Sequence, residues 1–417
     1  LKILVLTNLY PPHYLGGYEL ICSTIVNALR ARGHQLAVLT SDHQVEPARH
    51  QPDEPGVERL LKIHGFYGHP WLGIGRLRKL EAHNNATLRS ALHRYKPELV
   101  YVWNMGGLSK SMLFTLQATG LPTVFYLSDH WISRGLASDV WLSWWNRRNG
   151  RIRQRLTRTV WSWLGGRRRS QQLAPTNPIS QLRFPRIYFC SRALRDSTVA
   201  AGFDVSHGAV IYCPINRVFL QHDLTPSVGP LQRLLYVGRL AEDKGVMTAL
   251  RAMALIRDKF DGSLSIYGRG ESDYTLQLVE FAGDHHLPVT FTAATPQKMP
   301  EVYREHDALL FTSEWDEPFA LTPLEAMACG LPVIGTTTGG SAELFRHGDN
   351  ALTYAAGKPE ELADRILMLA RDDALRQRCA VGGYCEARQR CAEPVVVDQV
   401  EAYLEETLRC WKPMANG

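Results

Sequence analysis

Several things are missing from this 417-residue sequence, and each absence closes a class of function. No uncharged apolar run approaches the ~18 residues that a membrane-crossing helix requires. The eight cysteines are scattered, with no CxxC and no zinc-binding spacing, so reduced thiols are expected and metal or disulfide roles are not. The loop "YPPHYLGGYE" at 10–19 is rich in proline and glycine but is not a GxGxxG fingerprint, and the acidic ribose contact that accompanies that fingerprint is missing. A dinucleotide-dependent dehydrogenase is therefore disfavoured.

One shortage is local. From Val140 to Arg195 there is no acidic residue, while Arg147, Arg148, Arg151, Arg153, Arg155, Arg158, Arg167, Arg168, Arg169, Arg183, Arg186, Arg192 and Arg195 all fall there. Against a net charge of +6, the remainder of the chain carries a net −7. Trp141, Trp144, Trp145, Trp161 and Trp163 make the segment amphipathic as well as cationic. Three uses fit it: recognition of a phosphate on an acceptor, attachment to an anionic membrane surface, or a solvated helical arm. The first two are favoured, because tryptophan beside arginine suits an interface better than open solvent. Charge alone also permits nucleic acid, yet no nucleic-acid-binding motif accompanies it, so no such partner is expected.

What is present is the composition of a soluble globular protein, 45% hydrophobic and 21% charged, at a length that suggests two domains. The opening "LKILVLTNLY" reads as a buried strand and not a signal peptide; the expected location is cytoplasmic, with peripheral attachment to the inner face of a membrane as a further option. Apolar runs at Ile3–Leu6, Leu36–Thr40, Leu99–Trp103 and Thr123–Leu127 alternate with helical patterns such as Glu19–Ala31, which ends at Gly33. A second series begins after "CPINRVF" at 213–219, with strands at Leu234–Val237, Leu264–Tyr267, Ala308–Phe311 and Val333–Gly335. Repeated βα units imply α/β architecture with two parallel, doubly wound, Rossmann-like sheets and a ligand in a deep cleft between them. The expected divisions are 1–210, 211–398 and a C-terminal helix, 399–417, that crosses back to the first domain.

The richest stretch is "DEPFALTPLEAMACG" at 316–330. Thr322, Pro323 and Glu325 predict a capping box: Thr322 at the N-cap, Pro323 at the first helical position, Glu325 reaching back, and a helix over Leu324–Cys329 that stops at Gly330. Glu317 has no such structural duty. It lies between a strand end and a helix start, where an α/β sheet binds anions, and a carboxylate there suits the hydroxyls of a polyol attached to the anion. In "YVGRLAEDKG", Arg239 and Lys244 fit a diphosphate, as fork and point charge, or are ordinary loop cations balanced by Glu242 and Asp243. Gly16 and Gly17 allow close approach to phosphate or form an ordinary turn. In "FYLSDHW", the residues Ser128, Asp129 and His130 end a strand and either orient a sugar or cap a turn.

Taken together, "KILVLTNLYPP..GGYE", "ALRARGHQLAVLT", "YVGRLAEDKG", "IYGRG" and the block from Glu301 to Tyr354 resemble the retaining glycosyltransferases of family 4, with the GT-B fold. The most specific match is "EPFALTPLE", at the spacing of that family's E-x7-E motif. The resemblance assigns Arg239, Lys244 and the adjoining Gly238 to the donor diphosphate, and Glu317 to hydroxyls of the transferred sugar. The backbone of Phe319, Ala320, Leu321 and Thr322 would line the sugar and phosphates, Glu325 would take the ribose hydroxyls, and Gly16 and Gly17 would close over the phosphates. His130 would supply the first-domain sugar contact. Two departures stand out: Ala320 where glycine is usual, and Ser128 in the usual histidine's place, leaving His130 two positions later.

The resemblance implies transfer of a hexosyl unit from a nucleoside diphosphate sugar, UDP-glucose-type ahead of GDP-mannose-type, to a sugar, sugar-phosphate or lipid-linked acceptor hydroxyl. It implies retention of configuration, no metal and no other cofactor. The alternative from another class is a protein of the same fold that binds a nucleotide sugar without transferring it. A pyridoxal-phosphate phosphorylase is disfavoured, since nothing resembles its cofactor lysine site.

Overall fold

The computed structural model describes residues 1–45, 54–146, 159, 163, 166–221, 223–224 and 229–411. The chain divides into two compact units, one comprising Leu1–Cys190, Leu194–Ile211 and Val397–Gly417, the other Ser191–Ala193 and Tyr212–Val396.

The first unit contains β1 (Lys2–Leu6), α1 (Gly17–Ala31), β2 (Gln35–Ser41), β3 (Val57–Leu61), α2 (Ile74–Tyr95), β4 (Leu99–Val102), α3 (Ser111–Thr119), β5 (Thr123–Leu127), α4 (Val140–Asn146), α5 (Gly166–Leu173), β6 (Ile187–Phe189), most of α6 (Arg192–Ala200) and β7 (Ala209–Val210). Its strands form one sheet in the order β3-β2-β1-β4-β5-β6-β7. Every pairing between these strands is parallel. Strands β4 and β5 are buried along their whole length. Interior parallel strands are covered on both faces, which is why they appear in the sequence as unbroken apolar runs.

The second unit repeats the plan with β8 (Arg233–Val237), α7 (Val246–Ile256), β9 (Ser263–Tyr267), α8 (Ser272–Asp284), β10 (Val289–Thr292), α9 (Met299–Arg304), β11 (Ala308–Phe311), α10 (Leu321–Ala328), β12 (Val333–Thr336), β13 (Leu352–Tyr354), α11 (Pro359–Arg371) and α12 (Asp373–Cys391). The strand order is β10-β9-β8-β11-β12-β13, again all parallel. Its core packs Leu250, Met253 and Ile256 of α7 with Leu234, Leu264 and Leu310 of the sheet. In both sheets the order reverses beside the first strand, giving a switch point between β1 and β4 and another between β8 and β11.

The last helix, α13 (Glu393–Cys410), belongs from Val397 onward to the first unit. There Arg32 pairs with Asp398 at 2.6 Å, Arg186 pairs with Glu406 at 3.2 Å, and Tyr403 Oη donates to Ile187 O at 2.9 Å. No helix among the described residues is long and apolar enough to cross a membrane. Of the basic segment, Arg147, Arg148, Arg151, Arg153, Arg155, Arg158 and Trp161 lie outside the described residues. Arg167, Arg168 and Arg169 are exposed on α5, whereas Trp141 and Trp145 are buried and contribute to the core, not to a surface.

Candidate functional site

Ligands of doubly wound sheets lie outside the carboxyl ends of the strands, at the switch point. In the second unit, the loops leaving β8 and β11 flank that point, and they carry Lys244 and Glu317. The β8 loop runs against the exit of β9, with Gly238 N donating to Tyr267 O at 3.0 Å and Leu240 N to Arg269 O at 2.9 Å. Gly268 and Gly270 permit this approach, since a Cβ on either would lie 2.0 Å from a carbonyl oxygen, that of Gly238 or Leu240. A short turn, Glu242–Lys244, then closes at Gly245, which is left-handed at φ +64°. A Cβ on Gly245 would meet Thr312 O at 2.0 Å, and Thr312 Oγ1 donates to Lys244 O at 2.8 Å. The lysine backbone is thus fastened to the exit of β11.

The ammonium of Lys244 is paired with Glu317 Oε1. Ser313 Oγ donates to the same carboxylate oxygen at 3.0 Å, and the Trp315 ring lies 5.2 Å from Lys244 Nζ. The two charged side chains are only 16% and 12% exposed, so each depends on the other for compensation. A diphosphate arriving here would compete with Glu317 for the ammonium and release the carboxylate to accept from hydroxyls. The loop itself is held by glycines after β12. Gly340 N donates to Glu317 O at 2.7 Å, and a Cβ on Gly340 would stand 2.0 Å from Pro318 O. Phe319 stacks on Tyr212 with centroids 5.3 Å apart, and Tyr212 is fixed by the Arg390 guanidinium 4.4 Å from its ring and by Glu343 at 3.0 Å. Arg239 is not drawn into this group; its side chain is 68% exposed and lies 3.7 Å from Asp243.

The expected capping box is absent. Helix α10 begins at Leu321 with Ala320 as its N-cap, in extended conformation and with no side-chain cap. Thr322 and Pro323 are therefore its second and third residues, where a missing proline N–H is harmless because first-turn N–H groups have no intrahelical partner. Glu325, fifth in the helix, is too far along to reach the cap. It accepts instead from Tyr303 Oη of α9 at 2.9 Å. Burial pushes the Glu325 carboxyl up to about 7, while the Tyr303 hydrogen bond pulls the other way. The outcome is an uncapped helix start facing the switch point, with positive dipole end and N–H groups unused by any cap.

Ser313, Trp315 and Tyr303 complete the site and were missed from the sequence. The first two stand next to Glu317 and were legible by adjacency; Tyr303, 22 residues before Glu325, gave no local signal.

In the first unit, Gly16 is the N-cap of α1, and its N–H donates to Glu19 Oε2 at 3.0 Å. An added Cβ there would meet nothing nearer than 4.0 Å, so space does not dictate glycine. Gly17 opens the helix. After β5, Asp129 Oδ1 accepts the Trp131 N–H at 3.0 Å, and burial lifts the Asp129 carboxyl to about 6. His130 Nδ1 lies 3.3 Å from Ser133 Oγ. A capped turn is present, with Ser128 and His130 on either side of the capping aspartate.

Residues 226–384 match the model for glycosyl transferases group 1, and residues 15–218 match that for Glycosyltransferase Family 4. The chain is 28% identical over 200 residues to N-acetyl-alpha-D-glucosaminyl L-malate synthase of Bacillus anthracis, covering 46% of this chain and 52% of that one. It is 33% identical over 158 residues to D-inositol 3-phosphate glycosyltransferase of Corynebacterium jeikeium, covering 36% and 37%. The chain thus spans about half or less of these relatives' length. Anabaena HepE, solved in complex with UDP-glucose, superposes with a TM-score of 0.66 at 20% identity, over 97% of this chain and 99% of that one. Sucrose-phosphate synthase from Thermosynechococcus elongatus gives 0.65 at 16%, over 98% and 99%. At such identities the structural likeness establishes the fold. With the two family models lying on successive parts of the chain and both sheets doubly wound, the chain belongs to glycosyltransferase family 4 and has the GT-B fold.

Proposed function

We propose that the protein transfers a hexosyl unit from a nucleoside diphosphate sugar to an acceptor hydroxyl, with retention of configuration. The observation that carries this reading is the Lys244–Glu317 pair at the switch point of the second sheet, beside the uncapped start of α10. Lys244 takes the donor diphosphate, joined by Arg239 once its weak surface pairing is exchanged for phosphate. Glu317 accepts from the sugar hydroxyls and Glu325 from those of the ribose. The donor bond loosens, positive charge develops on the sugar ring, and the departing phosphate accepts the acceptor hydroxyl's proton as that oxygen attacks from the same face. No enzymic nucleophile is needed. Catalysis requires Lys244 and the helix start to hold the phosphate more tightly as its charge grows.

A UDP-glucose-type donor is favoured over a GDP-mannose-type one, supported by the HepE complex with UDP-glucose. No metal is assigned to the reaction, since the cation and helix dipole supply the positive charge. The exposed Arg167, Arg168 and Arg169 support an anionic partner, either a phosphate on the acceptor or a lipid surface, and co-sedimentation with and without anionic lipid separates the two. Because Ser128 stands where the family's histidine is usual, a non-catalytic binder is the second reading. Nucleotide release from UDP- and GDP-sugars in the presence of candidate acceptors tests both: release establishes turnover, and donor binding without release sinks the transferase.

A further inference from the structure

The stretch "TTGGSAE" at 337–343 follows β12 and ends in a glutamate outside the E-x7-E pair. Gly339–Glu343 forms a single 3-10 turn. Residues three apart eclipse in such a turn, so Gly340 and Glu343 share one face of it. At its glycine end the turn lies directly against the backbone of the Glu317 loop. Gly339 is left-handed at φ +53°, and a Cβ there would fall 2.3 Å from Glu317 O and 2.7 Å from Glu317 N. Gly340 N donates to Glu317 O, and the place of its missing Cβ is taken by Pro318 O and the Ser191 side chain. Ser191, fully buried, donates its hydroxyl to Pro318 O at 2.6 Å. Backbone meets backbone here, so a displacement of the turn is a displacement of Glu317.

At the other end of the turn the Glu343 carboxylate accepts twice. Oε1 takes the Ala193 N–H at 2.9 Å, and Oε2 takes the Tyr212 hydroxyl at 3.0 Å. Ala193 stands in the first turn of α6, where backbone N–H groups have no intrahelical partner, two residues after Ser191. Tyr212 is the ring that stacks on Phe319, at an interplanar angle of 24°. All of these residues belong to the second unit. Three successive residues of the loop are thus each held once: Glu317 by Gly340, Pro318 by Ser191 and Phe319 by Tyr212. Glu343 joins the three anchors, to Gly340 through its own turn, to Ser191 through Ala193, and to Tyr212 directly. The Glu317 carboxylate meets sugar hydroxyls in good geometry only if its backbone is fixed in this way, since hydrogen bonds weaken steeply with misalignment. A diphosphate needs only the ammonium of Lys244 and the start of α10.

We infer that Glu343 is a positioning residue for Glu317 and sets how strongly the site prefers a sugar-bearing nucleotide over the bare one. The sugar preference rests on the transferase reading above; the anchoring does not. Hydrogen exchange of the full chain, read by mass spectrometry over peptides covering 337–344, tests the anchoring through the Gly340 amide. Exchange there is expected to quicken about tenfold in Glu343→Ala, with amides of β11 and β12 unchanged. Tyr212→Phe, which keeps the stack on Phe319, gives a smaller rise. Glu343→Gln stays close to the wild type, because its amide accepts from Ala193 and donates to the Tyr212 oxygen. Calorimetry with UDP-glucose against UDP, and GDP-mannose against GDP, tests the preference. It is expected to fall about fivefold in Glu343→Ala while affinity for the bare nucleotide is kept. Unchanged exchange in a folded Glu343→Ala, a rise shared equally by β11 and β12, a Glu343→Gln indistinguishable from Glu343→Ala, or an unchanged sugar preference overturns the proposal. A wild type that binds none of the four nucleotides sinks the transferase reading instead, and the exchange result then decides the anchoring by itself.

Discussion

At the scale of single residues, the site is an argument about two carboxylates in different surroundings. Glu317 has a cation, a hydroxyl donor and an aromatic neighbour close to that cation. Glu325 accepts from a phenol, and burial holds its carboxyl near 7. Removing the cation tests the first. Lys244→Ala is expected to lower kcat by about 10²-fold or more, the range seen when one preorganised donor to a developing oxyanion is lost, while donor affinity falls by less. Steady-state kinetics beside calorimetric donor binding measures both, and a full-rate enzyme contradicts the assigned role. The same substitution strands Glu317 without its partner, so a loss of about 3 kcal/mol in stability accompanies it in denaturant titration.

Glu325 gives a linkage prediction whose sign is fixed by the direction of its shift. An unfolded-state carboxyl near 4.5 and a folded one near 7 mean that the folded chain holds the extra proton between those values. The stability contribution is thus present below about pH 4.5, falls as pH rises through that window, and is gone above 7. On the proposed assignment, ribose hydroxyls donate to the ionised form, so nucleotide binding is expected to strengthen as pH rises from 6 to 8 and to release a proton. Calorimetry at pH 6.5 in buffers of different ionisation enthalpy should show that release in the wild type and none in Glu325→Gln. Equal proton counts in the two proteins would remove Glu325 from the nucleotide site.

Secondary-structure elements position these groups through close backbone approaches. Gly245 is the clearest case, left-handed and with Thr312 O where a side chain would be. Gly245→Ala is expected to cost about 2–4 kcal/mol, combining backbone strain with overpacking, and chemical denaturation reads it directly. A cost below 1 kcal/mol would mean that the turn relaxes without consequence. Interior strands such as β4 and β5 were legible in the sequence because burial on both faces makes them apolar throughout. Edge strands were not. In β3, "VERLL" is mostly half-exposed, and in β10, "VTFT" alternates between half-buried and exposed, so neither forms an apolar run. The helix at 321–328 was legible as a helix, but its start was misplaced by proline chemistry that fits the first position and the third equally well. Glu317 and Lys244 were legible as candidates from their positions after strands. That they meet each other was not, because 73 residues separate them and only the order β8-β11 brings their loops together.

For the whole molecule, two sheets with the same winding each present a switch point, and each switch point carries different chemistry. The second has a charged pair beside a helix start, suited to a diphosphate with hydroxyls attached; the first has the Asn8 amide, whose donors go to Tyr67 Oη and Gly106 O. The proposed donor site is the one at the second switch point. The most direct measurement is thermal unfolding of the wild type and of Glu317→Ala with UDP-glucose, GDP-mannose and the free nucleotides. One nucleotide sugar at about 100 times its dissociation constant is expected to stabilise the wild type by roughly 2.7 kcal/mol, a rise of several degrees, and to do so less in Glu317→Ala at the same concentration. No shift with any nucleotide sugar, or an equal shift in both proteins, would contradict it.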